Sequence, residues 1–169
     1  MSEDEAALVA VDQAASFEAF FDAQTQKLFQ RLCLVTGNQA EAEEIAQDAF
    51  LKVWERWDRV AKVDDQVGYL YRVAMNIFRN RYRRAKLALR KTADPEIRND
   101  EFGAADIRNG VARGLAKLTQ RQRAAVVLVD LLGYGSEEAG RMLGIRAGTV
   151  RTLVIRARKT LREELEERP

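Results

Sequence analysis

The chain has 169 residues, of which 47% are hydrophobic and 32% are charged, as in a soluble globular protein with a packed core. It contains no histidine, so a serine or cysteine nucleophile would lack its usual imidazole base and zinc its commonest nitrogen ligand. It also lacks the GxxxxGK[ST] phosphate-binding loop. These features favour a binding protein over an enzyme, and they predict neither a cofactor nor a metal site.

The N-terminal sequence MSEDEAALVAVDQ is acidic, whereas a secretory signal begins with basic residues. No run approaches the roughly 18 apolar residues of a membrane span. The single cysteine, Cys33, excludes an internal disulfide and fits a reducing compartment. We therefore expect a cytoplasmic protein without membrane insertion. Because the chain stops just after its last helical pattern, we also expect no fused regulatory domain.

The net charge of +2 conceals a strong segregation of charge along the chain. Residues 1–60 hold 5 basic and 12 acidic residues, and residues 61–92 hold 9 and 2. Residues 93–110 hold 2 and 5, and residues 111–169 hold 12 and 7. The two basic blocks indicate two contacts with a polyanion, and the acidic block indicates a basic partner, although helices with solvated charged faces give a similar pattern.

Apolar residues recur at helical spacing nearly everywhere, which predicts an all-α protein. A first helix carries Phe17 and Val35 and ends near Gly37. Asn38 is the expected cap of a second helix, whose buried stripe is Ala42, Ile45, Ala46, Ala49, Val53 and Trp57. A third helix spans about residues 67–90, with a buried stripe of Leu70, Val73, Ala74 and Ile77.

Asp94 and Pro95 interrupt the helical pattern, so residues 92–109 are interpreted as an acidic linker between two small helical domains. The resulting division is a tail (1–16), a first domain (17–91), the linker and a second domain (110–167). In the second domain, Thr119 and Gln122 predict a capping box for a helix that ends near Gly133. Its expected buried residues, with those of a short preceding helix, are Val111, Leu115, Leu118, Ala125, Leu128 and Leu131.

The end of the chain has the layout of a DNA-binding helix-turn-helix: a helix capped by Ser136, a turn at Gly144 and a last helix over about residues 147–167. Arginine reads guanine in the major groove, and an exposed isoleucine meets the thymine methyl group. The outward positions of the last helix are Thr149, Arg151, Thr152, Ile155, Arg156 and Lys159. An ordinary helical hairpin with a basic face is the alternative.

The third helix carries a basic stripe with aromatic and amide side chains in it, followed by the run RNRYRR. Its members at three- and four-residue steps are Tyr69, Arg72, Asn76, Arg79 and Arg83. Such a face suits melted DNA, because arginines track phosphates while rings and amides hold unstacked bases. A solvated surface helix is the alternative, and Tyr71 and Phe78 are equally suited to the core.

Three stretches resemble sigma factors of bacterial RNA polymerase. AEEIAQDAFLKVWERW resembles their second region, and VGYLYRVAMNIFRNRYRR resembles their promoter-opening helix. LTQRQRAAVVLVDLLGYGSEEAGRMLGIRAGTVRTLVIRARKTL resembles their fourth region. The match covers residues 17–165 and lacks the domain between these regions, as in the extracytoplasmic-function (ECF) type, and three motifs in this order are specific together.

The resemblance implies a non-enzymatic protein of sigma region 2 and region 4 domains. The acidic second helix would dock on the clamp coiled coil of core RNA polymerase through Glu44, Gln47, Asp48 and Leu51. The loop at residues 60–66 and the third helix would hold the single non-template strand of the minus-10 element, with Tyr69, Arg72, Asn76, Arg79, Asn80 and Arg83. The acidic linker would run toward the RNA exit path.

The helix-turn-helix would read the minus-35 element as duplex DNA, and the polymerase flap and an anti-sigma factor are the other implied partners. The residues that the resemblance assigns to minus-35 reading are Arg146, Thr149, Arg151, Thr152, Ile155, Arg156 and Lys159. Leu153, Ile155 and Met75 depart from the family pattern, in which arginine, a polar or aromatic residue, and a basic residue are common there.

A helix-turn-helix regulator that binds a duplex operator is the alternative function. Such a regulator needs neither an acidic second helix nor a basic third helix, and its sites would be palindromic. These two helices therefore favour the sigma-factor interpretation.

Overall fold

Eight α-helices and one π-helical turn make up most of the computed structural model, which describes residues 2–91 and 110–167 and has no strand within them. The elements are α1 (Glu3–Thr36), α2 (Gln39–Trp54), α3 (Trp57–Val60), α4 (Gln66–Lys91), α5 (Gly110–Ala116), α6 (Gln120–Val126), the π-helical turn (Val127–Leu131), α7 (Ser136–Leu143) and α8 (Ala147–Glu166). The all-α prediction is confirmed. The acidic linker proposed for residues 92–109 lies outside the described residues.

Helix α1 begins at Glu3, so the residues assigned to an N-terminal tail continue the first helix. The Ser2 hydroxyl accepts a hydrogen bond from the backbone N–H of Glu5 at 3.3 Å, and acidic residues in the first turn oppose the positive end of the helix dipole. At the other end, Gly37 adopts the left-handed conformation with φ 68°, and its N–H donates to the Cys33 carbonyl. The predicted helix end is confirmed.

Two of the three predicted helix caps are confirmed. Asn38 Oδ1 accepts from a backbone N–H at 2.9 Å, and the Thr119–Gln122 capping box forms in both directions. The Ser136 cap is wrong, because Gly135 holds the cap position and Ser136 is the first residue of α7, with no side-chain cap in place.

Two residues expected to be buried, Val111 (45% exposed) and Leu131, are exposed, and one buried residue expected in α2 belongs to another helix. Trp57 is buried, but α2 ends at Trp54, and Trp57 packs from the separate short helix α3. Leu131 is 51% exposed, because the π-helical turn has more residues per turn and rotates its last residue off the buried stripe. Met75 is 2% exposed and belongs to the core, which explains why no basic residue stands there.

The two halves of the chain share one hydrophobic core. We call residues 3–91 the N-terminal unit and residues 110–166 the C-terminal unit. Helix α1 packs on α6, and α4 packs on α7. A single buried cluster includes residues of both units, among them Leu28, Leu32, Val35, Ala124, Val127 and Leu128. The two sets of helices are therefore in direct, largely apolar contact.

Arg123 of α6 is the polar centre of this contact and is only 1% exposed. Its guanidinium donates to the carbonyls of Val35 at 3.0 Å and Thr36 at 3.3 Å in the N-terminal unit. It also donates to Leu118 at 2.8 Å and Leu115 at 3.2 Å in its own unit. Burial lowers the pKa of Arg123 to about 10, so the side chain stays protonated at neutral pH. The last carbonyls of a helix lack intrahelical partners, which suits them to a cation.

Candidate nucleic-acid interface

The helix-turn-helix consists of α7, the turn at residues 144–146 and α8. Gly144 ends α7 in the left-handed conformation with φ 67°, which allows the sharp turn that the sequence predicted. Gly140 has no space for a side chain, because a Cβ there would lie 2.7 Å from the Ile145 carbonyl oxygen. This close approach fixes α7 against the start of α8, and Val150 and Val154 complete the buried side.

The outward face of α8 is basic and solvent-exposed, as the sequence predicted. Ile155 is 65% exposed, so its side chain is free to meet an apolar group of a partner. Leu153, in contrast, is half-buried and packs against the shared core. The exposed residues predicted to read the minus-35 element are Arg146, Thr149, Arg151, Thr152, Ile155, Arg156 and Lys159.

Arg158 has a structural role on the other side of α8. Its Nε and Nη2 atoms donate to the two carboxylate oxygens of Asp130 at 2.9 and 2.5 Å. These hydrogen bonds lower the pKa of Asp130 below its ordinary value. The pair fastens α8 to the π-helical turn, so the arginines of this helix divide into exposed and anchoring residues.

The basic face of α4 is partly covered by the C-terminal unit. Arg72 Nε lies 3.6 Å from Glu138 Oε1 of α7. Arg79 is half-buried, and its Nη2 donates to Asn76 Oδ1 at 2.9 Å. Of the other residues predicted for this face, Tyr69 is half-buried, whereas Asn80 and Arg83 are exposed to solvent. Tyr71 and Phe78 are buried core residues.

The acidic surface on α2 is exposed at all four predicted positions, which are Glu44, Gln47, Asp48 and Leu51. Arg81 of α4 donates to Glu44 Oε2 at 2.7 Å and to Asp48 Oδ2 at 3.3 Å. The hydrogen bond to Glu44 raises the pKa of Arg81. The acidic surface is therefore already partly neutralised from within the chain.

Trp54 extends this surface, although it was not included in the prediction from the sequence. Its position three residues after Leu51 places the two side chains on the same face of α2 and could have indicated this. Trp54 is 43% exposed, and its ring centroid lies 4.9 Å from that of Phe17. Together with Leu51, it adds an apolar part to an otherwise acidic surface.

The described residues contain no helix with the length and apolar character needed to cross a membrane. Within the same part of the chain, no three acidic or cysteine side chains are grouped as metal ligands.

Comparison with known proteins identifies both units. The family model for sigma-70 region 2 matches residues 22–88, and the model for sigma-70 region 4 matches residues 108–161. The first match lies in the N-terminal unit, and the second covers most of the C-terminal unit.

Curated relatives match along most of the chain. The ECF RNA polymerase sigma factor SigM of Mycobacterium tuberculosis is 35% identical over 163 residues, covering 92% of this chain and 80% of that protein. SigW of Bacillus subtilis is 28% identical over 172 residues, covering 92% and 91%. SigE of Mycolicibacterium smegmatis is 31% identical over 170 residues, and the match spans 91% of this chain but only 64% of that protein.

Two solved structures share the fold. The sigma factor RpoE of Bartonella quintana, solved with the anti-sigma factor NepR, has a TM-score of 0.67 at 22% identity and covers 91% of this chain and 99% of that chain. CnrH, solved with the cytosolic domain of CnrY, has a TM-score of 0.60 at 22% identity, with coverages of 96% and 97%. From the region 2 and region 4 matches and the identity to SigM, we conclude that this chain belongs to the ECF RNA polymerase sigma factors, which are transcription initiation factors and not enzymes.

Proposed function

We propose that this sigma factor carries core RNA polymerase to specific promoters in the cytoplasm, opens the minus-10 element with its N-terminal unit and reads the minus-35 duplex with its C-terminal unit. The observation that carries the proposal is the presence of basic faces on both α4 and α8, in one chain with an exposed acidic surface on α2. A helix-turn-helix regulator would account for α8 but for neither α2 nor α4.

The minus-35 contact is assigned to the exposed face of α8. Arg151 and Arg156 are the candidates for bidentate reading of guanine, and Ile155 is placed to contact a thymine methyl group. Arg146 stands at the N-cap of α8, where an exposed guanidinium suits a phosphate contact. Arg158 is left out, because Asp130 already occupies its guanidinium.

The minus-10 contact is assigned to α4. Asn76 presents an exposed amide between Arg72 and Arg79, so a base edge and its flanking phosphates have partners on one helix face. Unstacking a base costs a few kcal/mol, and this face must supply interactions of at least that magnitude. Tyr69 is half-buried near the start of α4, and we assign its ring to the edge of the minus-10 face.

The polymerase contact is assigned to α2, with the clamp coiled coil as its partner, and the C-terminal unit is assigned to the flap. Glu44 and Asp48 offer carboxylates to a basic partner, while Leu51 and Trp54 offer apolar area that would be removed from water. Arg81 competes for the two carboxylates, so a docking partner has to displace or share this arginine.

Promoter binding requires the two units to separate. The α4 face has to be free for a melted strand while the C-terminal unit holds a separate duplex element. In the structure, the units share a buried core, and Glu138 of α7 pairs with Arg72 on the proposed minus-10 face. The described conformation is therefore a closed form, and residues 92–109, which span at most about 60 Å when extended, would connect the opened units.

An anti-sigma factor is proposed as a further partner. The sigma factor RpoE was solved with the anti-sigma factor NepR, and CnrH was solved with the cytosolic domain of CnrY. The fold shared with these two proteins supports a similar partner for this chain.

The test of the minus-10 assignment is promoter opening by core polymerase with this chain, followed by permanganate reactivity of unpaired thymines. Asn76→Ala combined with Arg72→Ala should leave closed-complex formation intact and reduce the reactivity at least several-fold. If reactivity survives while duplex binding is lost, α4 is a duplex-binding helix and the assignment is wrong. Arg84→Ala, which removes an exposed arginine elsewhere on α4, is the matched control.

A further inference from the structure

A cavity lies where the two units meet, between α4 and the α6 and α7 region. Its volume is about 190 Å³. Its lining residues come from both units and are Phe78, Arg79, Tyr82, Arg83, Arg121, Leu143, Gly144 and Ile145. The three arginines are the only charged side chains among these residues, so the cavity wall is basic and carries no carboxylate within the described part of the chain.

The arginines around this cavity lack acidic partners among the described residues, although the chain pairs several other arginines with carboxylates. Arg121 of α6 instead lies 5.5 Å over the ring of Tyr82. The Nε atom of Arg79 is buried and has no hydrogen-bond partner in the structure. A buried donor without an acceptor is costly, and three guanidinium groups around one cavity repel one another.

Gly144 makes the position of Arg79 possible. A Cβ at Gly144 would lie 2.7 Å from Arg79 Nη1, so only glycine lets the guanidinium lie against the turn that follows α7. No described carbonyl at this helix end accepts a hydrogen bond from Arg79 Nε. The described residues therefore leave Arg79 Nε without an acceptor on the wall of the cavity.

From this geometry we infer that the cleft between the units binds a small phosphate-bearing anion, which joins Arg79 and Arg83 of the N-terminal unit to Arg121 of the C-terminal unit. Arginine forks match the oxygens of phosphate, and a cavity of about 190 Å³ is below the usual range for drug-sized ligands, so it holds one or two phosphate groups. An anion that contacts both units binds the closed form better than an opened one and stabilises it by mass action.

A consequence for regulation rests on the proposed function. Arg79 and Arg83 are assigned to the minus-10 strand, so an anion in the cleft would occupy two residues that the promoter needs. The site itself does not depend on that assignment, because its ligand is tested in the absence of DNA and polymerase.

The experiment is calorimetric titration of the full chain with sodium pyrophosphate at constant ionic strength, for the wild type, Arg121→Gln and Arg84→Gln. Arg84 is an exposed arginine on α4 that does not line the cavity, so its variant removes the same charge elsewhere. We expect equal affinity for the wild type and Arg84→Gln and at least tenfold weaker binding for Arg121→Gln. Pyrophosphate should also raise the urea midpoint of the wild type and Arg84→Gln but not that of Arg121→Gln.

Titrations with inorganic phosphate and ATP distinguish a free anion from the phosphate chain of a nucleotide, and Arg121-dependent binding of any of these ligands supports the inference. Equal binding by all three proteins would indicate general charge attraction and would overturn the inference of a specific anion site. Binding of a single-stranded oligonucleotide without binding of any small phosphate would also overturn it, because the arginines would then belong to a nucleic-acid surface. Circular dichroism checks that Arg121→Gln is folded.

Discussion

Replacement of Arg123 by methionine tests the contact that holds the two units together. Methionine retains an unbranched apolar stem but removes all donors from a side chain that is 1% exposed. The carbonyls of Val35 and Thr36 in one unit and of Leu115 and Leu118 in the other lose a charged partner. The substitution therefore removes hydrogen bonds to both units at once.

The expected cost is about 3 kcal/mol. A hydrogen bond to a charged group contributes about 1.5–3 kcal/mol net of desolvation, and Arg123 makes such bonds to both units. Methionine offsets part of this loss, because it buries apolar area in place of the guanidinium. For a chain of this size, the net difference corresponds to a fall of about 6–12 °C in Tm.

The assay is thermal unfolding followed by circular dichroism, with Arg162→Met as the matched control because Arg162 is exposed on α8. We expect a single transition in the wild type, a small change in the control, and a lowered or split transition in Arg123→Met, because the units then unfold separately. A fall in Tm no larger than that of Arg162→Met would refute the role of Arg123.

Three further predictions concern the surfaces and one ion pair. Glu44→Lys with Asp48→Lys should weaken binding to core polymerase at least tenfold in a titration and lower Tm by less than about 8 °C, because each of the two surface ion pairs with Arg81 contributes at most about 1 kcal/mol. Arg156→Ala should cost about 1–3 kcal/mol in promoter binding and relax preference at one base pair, whereas uniform weakening across a promoter panel would indicate a phosphate contact. The hydrogen bond from Arg158 lowers the pKa of Asp130 below 3.8, so its contribution to stability is complete above that value and is lost as the pH falls through the lowered value. Asp130→Asn should therefore flatten the decrease in Tm between about pH 4 and pH 2, and an unchanged acid profile would contradict this assignment.

Local signals made much of the fold predictable. Asn38, Gly37 and the Thr119–Gln122 box mark helix ends through interactions between near neighbours, and the structure retains them. The helix-turn-helix followed from the turn at Gly144 and from apolar spacing in α8. Leu131 was mispredicted because a π-helical turn changes the helical register, and its residues carry no separate sequence signal.

The contact between the units was not predictable from the sequence. Arginine is a residue type that is usually exposed. The burial of Arg123 depends on carbonyls of α1 that lie 87 and 88 positions away in the chain. The same holds for Arg121, whose neighbours Arg79 and Arg83 belong to another unit. Exposed residues on α2 and α8 were easier to assign, because helical periodicity alone determines which face they share.

The most direct measurement is transcription in vitro by core RNA polymerase, with and without this chain, on a library of intergenic fragments from the source genome, with the 5′ ends of the transcripts sequenced. We expect discrete new start sites that depend on the chain and share one minus-35 and minus-10 pair, and Arg156→Ala should change the minus-35 preference. Start sites that are the same with and without the chain would contradict the proposed sigma-factor function.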